Sequence, residues 1–492
     1  MGKQGQDINI FLNLLPLTIY LFLIPSQNVS KYKYAIIKKI SLNIWTLIFD
    51  YLTIIMLLPY SFLSLFKFNN LFTTKNNERF AFLDIFRFIA LCWVIINHLG
   101  SEGRLDILKR EKSGFLFKQS IHENTIFGPL LGNSALGVEI FLFLSGFLAA
   151  RSWQRYKSIN NSFLSNAFGF LFRRWLRLAP PTLTFIYLAA GPLGKWALPQ
   201  FNKSMVSNCS SNQLYSHALF INNFSNVPTC MGWLWYLGLD WQCYLLSPFL
   251  LYLLEKRLRF GLKILLIIIG GSIFIRGWHC QINQICNNSD VDIPFVYFPN
   301  LPNDILQTYS ALFSLYARPT TKIGPFLIGL LLGHFTTLKE NKKEKIFKLT
   351  TKTSKILFYI GILLLFITIY GILPEYWYPN QRNTIYNTLY TATFRTIFTI
   401  GIASIVVSIL YGQKSSRPIS RIWFIFSQLT FSAFLVHMPV VFLFNHISAF
   451  QNIESVYGLI FAFPFALILT FFAALIYHCI IEKALSRLFY IK

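Results

Sequence analysis

Three ionisable residues share one apolar run, FAFLDIFRFIALCWVIINH: Asp84, Arg87 and His98. Asp84 and Arg87 are three positions apart and so neighbours on one helical face. Arg87 and His98 are eleven apart, about three turns, which returns to the same face ~16 Å higher. One stripe thus carries an ion pair and, above it, an imidazole suited to general-base work on a hydroxyl. Ionisable groups inside a membrane are costly and usually functional. The bland reading stands beside this one: Asp84 and Arg87 could simply hold two helices together, and His98 could cap a helix end.

Further charges interrupt other apolar runs. Glu139, in GVEIFLFLSGFLAA, needs a cationic partner, for which Arg87 or His98 is available, while Ser145 and Gly146 read first as a close-packing pair. RRWLRLAPP puts Arg173, Arg174 and Arg177 just before a helix, as a cytosolic anchor or as a clamp whose guanidinium forks fit phosphate oxygens. WLWYLGLDWQCYLLSP sets Asp240 and Gln242 among interfacial aromatics. Arg318 and Lys322 are expected at a luminal helix mouth; Arg395 is either a pore-lining charge or a helix-to-helix tie; His437 is a lone imidazole on an apolar face. Asp84, Glu139 or Asp240 could orient His98 or balance Arg87. P-loop, zinc-ligand, dinucleotide and nucleophile-elbow motifs are lacking, so no metal is expected.

The elements that must position these groups follow from composition. With 44 basic and 19 acidic residues the net charge is +25, yet only 13% of residues are charged and 54% are hydrophobic. Soluble domains carry roughly 25% charged residues, so the chain reads as an all-α, polytopic membrane bundle without a nucleic-acid partner. Runs of about 20 apolar residues cover 10–25, 43–66, 80–98, 133–151, 178–195, 233–254, 260–276, 323–338, 354–374, 391–411, 423–446 and 456–479. This gives about ten core transmembrane helices plus one or two N-terminal hydrophobic segments, of which 10–25 is a signal-like stretch or a first helix.

Every second connection is basic: 151–177, the stretch after 254, 339–355 and 412–421. These are assigned to the cytosol with the C-terminus, and the connection 99–132, where acids nearly balance bases, is accepted as a structured exterior loop. Cys209 and Cys230 flank one luminal loop and are expected to form a disulfide in an oxidising compartment; Cys280 and Cys286 share the next. Sequons at Asn202, Asn208, Asn223 and Asn287 fall in the same two loops. To this point the chain is an enzyme or a transporter with a charged interior, in an endomembrane or the plasma membrane.

The ordered set comprising Arg87-x10-His98, GVEIFLFLSGFL, RRWLRLAPP, LFINNF, CMGWLWYLGLDWQCYLLSP, YARPTTKIGPFLIGLLLG, FSQLTFSAFLVHMPVV and IIEK with Glu482 resembles the membrane acyltransferase 3 family, in its nose resistant to fluoxetine branch. The resemblance implies a hydrophobic and basic segment over 1–79, an acyltransferase domain over 80–483 and a short tail over 484–492. It also implies acyl-CoA as donor and a lipid, sugar or other small molecule as acceptor. Acyl transfer from a thioester needs a donor to the developing oxyanion, for which Ser145, Asn97 and Gln242 are candidates. Arg87 and His98 match the family's essential arginine and histidine, and Arg174 and Arg177 its cytosolic arginine pair. Asp240 stands where many members have Glu, and Glu139 where Asp is more usual. The cysteine-rich luminal domain that precedes the core in many animal members is not expected here. Since members of this branch are associated with transport of lipophilic molecules, a transporter without acyl transfer is the alternative that the resemblance leaves open.

Overall fold

The computed structural model describes residues 80–100, 119–133, 136–156, 162–202, 206, 209–225, 230–283, 310–311, 313–341, 349–378, 385–412, 421–445, 447, 450 and 455–488. The expected N-terminal segments, the sequons at Asn208 and Asn287, and Cys286 lie outside them. The described residues form helices and no strand.

Ten long helices make the bundle: α1 Phe82–Gly100, α2 Leu136–Tyr156, α3 Phe163–Ala190, α4 Trp235–Lys256, α5 Leu258–Asn283, α6 Pro319–Asn341, α7 Thr351–Tyr370, α8 Ile385–Tyr411, α9 Arg421–Asn445 and α10 Val456–Tyr477. Nine of these positions are long and apolar enough to cross a membrane. The remaining one, α3, has 28 residues and carries Arg173, Arg174 and Arg177 in its middle. Here the structure corrects the expectation that the arginines precede a helix starting near 178. The helix begins some four turns earlier, because partners on α4 accommodate Arg174 within it.

The spans form an inner and an outer layer. In α2 and α6 the most apolar stretch is 78% and 72% buried; in α5 and α7 it is 17%. The inner pair meets backbone to backbone, since Gly146 faces the Phe326 carbonyl, Gly329 that of Phe143 and Gly333 that of Phe147. A β-carbon on Gly146 or Gly329 would stand 2.0 Å from the facing oxygen. Gly329 and Gly333 are spaced as G-x-x-x-G, which lets helix backbones close where lipid supplies no hydrophobic drive. Gly361 of α7 and Gly401 of α8 approach one another in the same way.

Residues 76–208 and 217–492 make one compact unit, and 209–216 fall outside it. Cys209, Cys230 and Cys280 are disulfide-bonded, whereas Cys92, Cys243 and Cys479 are free thiols. Two sequons are structurally engaged: the fully buried Asn223 amide donates to Gln242 and to the Ala317 carbonyl, and buried Asn202 donates to Ala189. Both side-chain amides are thus committed inside the bundle.

Candidate functional site

A pocket at the end of α1 is lined by Asn97 and His98 from that helix, Trp235 and Tyr236 from the first turn of α4, Trp233, Tyr316, and a rim of Val and Phe side chains. Trp233 sits in the single turn Gly232–Leu234, entered through Met231 in a left-handed conformation at φ 51°. Phe220, at φ 55°, is the other left-handed non-glycine residue among those described, and its carbonyl accepts from Gln242. Such backbone costs about 1–2 kcal/mol per residue and is held where surrounding contacts over-determine it. Here the Asn223–Gln242 pair supplies those contacts.

His98 is buried, and its ring centroid lies 5.0 Å from that of His437, itself wholly buried. His437 Nδ1 is 2.6 Å from the Phe434 carbonyl, so that nitrogen carries the proton and Nε2 holds the lone pair. The Trp233 Nε1 makes no hydrogen bond among the described residues.

The carboxylates expected near His98 are committed elsewhere. Glu139 bonds Lys322 at 2.6 Å and stands 3.6 Å from Arg395 Nη1. Its partners are therefore neither Arg87 nor His98, which the sequence had offered, and Lys322, in the first turn of α6, is fully buried. The glycine contact between α2 and α6 explains this pairing, because it brings the start of one helix against the start of the other. Lys322 Nζ also lies 4.0 Å over the Tyr316 ring, and Arg395 Cζ 5.3 Å from it. Arg318, half-buried, bonds the Ser225 carbonyl and packs on Phe224.

Asp84 pairs with Arg87 at 2.8 Å, and Ser427 of α9 joins them, accepting from Arg87 and donating to Asp84. Asp240 pairs with Arg174, whose guanidinium also reaches Ser145 and covers the Tyr244 ring. Arg87 lies within electrostatic reach of both Arg174 and Arg177, and Arg177 of Glu482. Arg173 and Arg177 are exposed. Glu482 accepts from Ser432 and from His478. Among the residues proposed as oxyanion donors, Gln242 donates to Phe220 and Asn223, Ser145 lies by Arg174, from which it accepts, and Asn97 lines the pocket.

Sequence reasoning missed three residues. Arg276 is fully buried and donates to the Ala392 and Thr321 carbonyls and to Thr396. It is the last residue of the apolar run 260–276. Trp233 read as interfacial belt, and His478 was overlooked although its i,i+4 spacing to Glu482 is a visible helix-face signal.

Residues 80–479 match the model of the acyltransferase domain family named Acyl_transf_3. The chain belongs to the acyltransferase 3 family. It is 44% identical over 416 residues to the regulator of hypoxia-inducible factor 1 of Caenorhabditis elegans, covering 84% of this chain and 81% of that protein. It is 25% identical over 411 residues to nose resistant to fluoxetine protein 6 of the same organism, covering 75% of this chain and 46% of that protein. The chain therefore spans about half the length of the second relative. No solved structure matches it. Membership agrees with a polytopic membrane bundle, and no cluster of metal-ligating side chains occurs among the described residues.

Proposed function

We propose that the protein is a membrane-embedded O-acyltransferase that moves an acyl group from cytosolic acyl-CoA to a hydroxyl of a lipid or other small-molecule acceptor. The observation that carries this reading is the placement of His98 in an aromatic pocket at one end of α1, with Arg87 and the α3 arginines at the other end. Phosphates of CoA would bind at the exposed Arg173 and Arg177. Arg174, committed to Asp240, braces that surface.

In the reaction, His98 takes the proton of the acceptor hydroxyl as its oxygen attacks the thioester carbon. The tetrahedral oxyanion is stabilised by donors in the pocket, for which Asn97 and the unpartnered Trp233 N–H are placed. Collapse breaks the carbon–sulfur bond, and the CoA thiolate leaves with the proton returned from His98. The neighbouring His437 lone pair makes it a positioning residue for an imidazolium at His98. A regulatory output of the kind named for the 44% identical relative would act through the acylated product.

The test is turnover of radiolabelled acyl-CoA by the full chain in lipid nanodiscs. Substituting His98→Ala should lower acyl transfer by about 10²–10⁴-fold, the usual contribution of a general base, while CoA binding persists; Arg177→Ala should weaken CoA binding. Full transfer by a folded His98→Ala protein would overturn the assignment, and a folded wild-type chain that binds no acyl-CoA would leave the transport alternative.

A further inference from the structure

Lys322, Arg395, Arg276 and Glu139 are all 0–1% exposed and lie within electrostatic reach of one another. Three cations against one carboxylate leave two positive charges uncompensated within this cluster. Among the described residues the hydrogen-bond partners of Arg276 are neutral groups, namely two carbonyls and the hydroxyls of Thr396 and Ser272. Arg395 Nη1 stands 3.6 Å from Glu139 and makes no hydrogen bond among the described residues. Since isolated buried charge is expensive, the excess calls for an anion that the described side chains do not supply.

The cluster adjoins the His98 pocket. Lys322 Nζ lies 4.0 Å from the Tyr316 ring centre and 5.6 Å from that of Trp235, and these two rings line the pocket. An aromatic pocket alone would suit a quaternary ammonium. Here protein cations already lie over those rings, so a cationic guest would meet repulsion through them in a medium of low dielectric.

We infer that the pocket selects an acceptor bearing an anionic oxygen group, a carboxylate or a phosphate, beside the hydroxyl to be acylated. The inference rests on the acyltransferase reading and narrows its acceptor class. Lys322 and Arg395 supply the field that holds the anionic group, leaving His98 to act on the hydroxyl. The proton and acyl transfers are those already described, and the anionic group takes no covalent part in them.

The experiment presents the full chain, in nanodiscs of neutral phosphatidylcholine with radiolabelled acyl-CoA, with charge-matched acceptor sets. One set is a hydroxy fatty acid, its methyl ester and the corresponding amino alcohol; the other is lysophosphatidic acid beside monoacylglycerol. Thermal stabilisation by each compound is read in parallel, without acyl-CoA. The expected result is a preference of at least about tenfold for the anionic member of either set, worth about 1.4 kcal/mol. Whichever set shows it separates carboxylate from phosphate sources. Arg395→Gln should shrink the preference to under about threefold, and Arg395→Lys, which keeps the charge, should retain it. Equal or better use of the neutral or amino acceptor overturns the inference while leaving acyl transfer standing. If no acceptor is acylated, the acyltransferase reading fails, and the stabilisation series alone decides: greater stabilisation by the anionic member upholds the anion site, and equal stabilisation overturns it.

Discussion

The two charged regions of the bundle use the same residue types to opposite ends. Near Arg87, Arg174 and Arg177 stand Asp84, Asp240 and Glu482, one carboxylate for each of these arginines, while Arg173 is exposed to solvent. Its arginine side chains also reach water: those of Arg87 and Arg174 are 28% and 22% exposed. The cluster of Lys322, Arg395, Arg276 and Glu139 is closed to water and unbalanced. Balanced, wetted pairs are cheap to keep and cheap to lose, whereas a desolvated charge without its counterion is neither. The first arrangement fits a surface that binds and releases a charged donor. The second fits a permanent field.

This contrast can be broken in order of expected effect. Removing the one carboxylate of the inner cluster, as in Glu139→Leu, should cost about 3–5 kcal/mol, as breaking a buried pair does, and deplete folded protein. Thermal unfolding in nanodiscs measures the loss, and pairing Glu139→Gln with Lys322→Met should recover at least half of it. Gly146→Ala acts on the same cluster through the backbone. The added methyl has to displace the Phe326 carbonyl, so α2 and α6 should part at a cost of about 2–3 kcal/mol, in the range of overpacked cores. Arg174→Ala should cost about 2–3 kcal/mol in the same assay, because it leaves the buried Asp240 without its cation, yet less than in the closed cluster because the guanidinium itself is 22% exposed; a loss equal to that of Glu139→Leu would erase the distinction drawn here.

The smallest effect concerns an imidazole outside both regions. His217 is buried against the Cys230 carbonyl, and desolvation pushes its pKa from 6.5 down to about 4. The unfolded chain therefore binds a proton that the folded chain refuses between those values, and stability falls as pH drops through that window. At pH 5.5 the loss relative to neutral pH should be about 1 kcal/mol, at 1.36 kcal/mol per pH unit, and His217→Gln should abolish it. A pH-stability slope unchanged by that substitution would remove His217 from the account.

Much of the bundle was legible because a span announces itself through its own apolar run, and Asp84 with Arg87 because their pairing is local to one helix. Glu139 was equally visible as a problem, but its solution was not. Lys322 lies 183 positions away, and its approach is set by a glycine contact between helices that share no sequence proximity. The α3 boundary failed for a related reason: three arginines look like a loop until Asp240 and Tyr244 of another helix are there to receive one of them. The roles of Trp233 and His437 depended on where their ring nitrogens ended up, which residue spacing does not encode.

The glycine seam between α2 and α6 also constrains how the chain is made. The α2 helix leaves the ribosome long before α6, so Glu139 enters the bilayer when Lys322 has yet to be synthesised. Until then the carboxylate has no cation of its own and α2 is a poorly settled span. Arrival of α6 closes the seam and pairs the two charges in a single step. Integration of the first half of the protein is therefore completed by the second, and a chain truncated before Lys322 would leave an early helix stranded for want of its late partner.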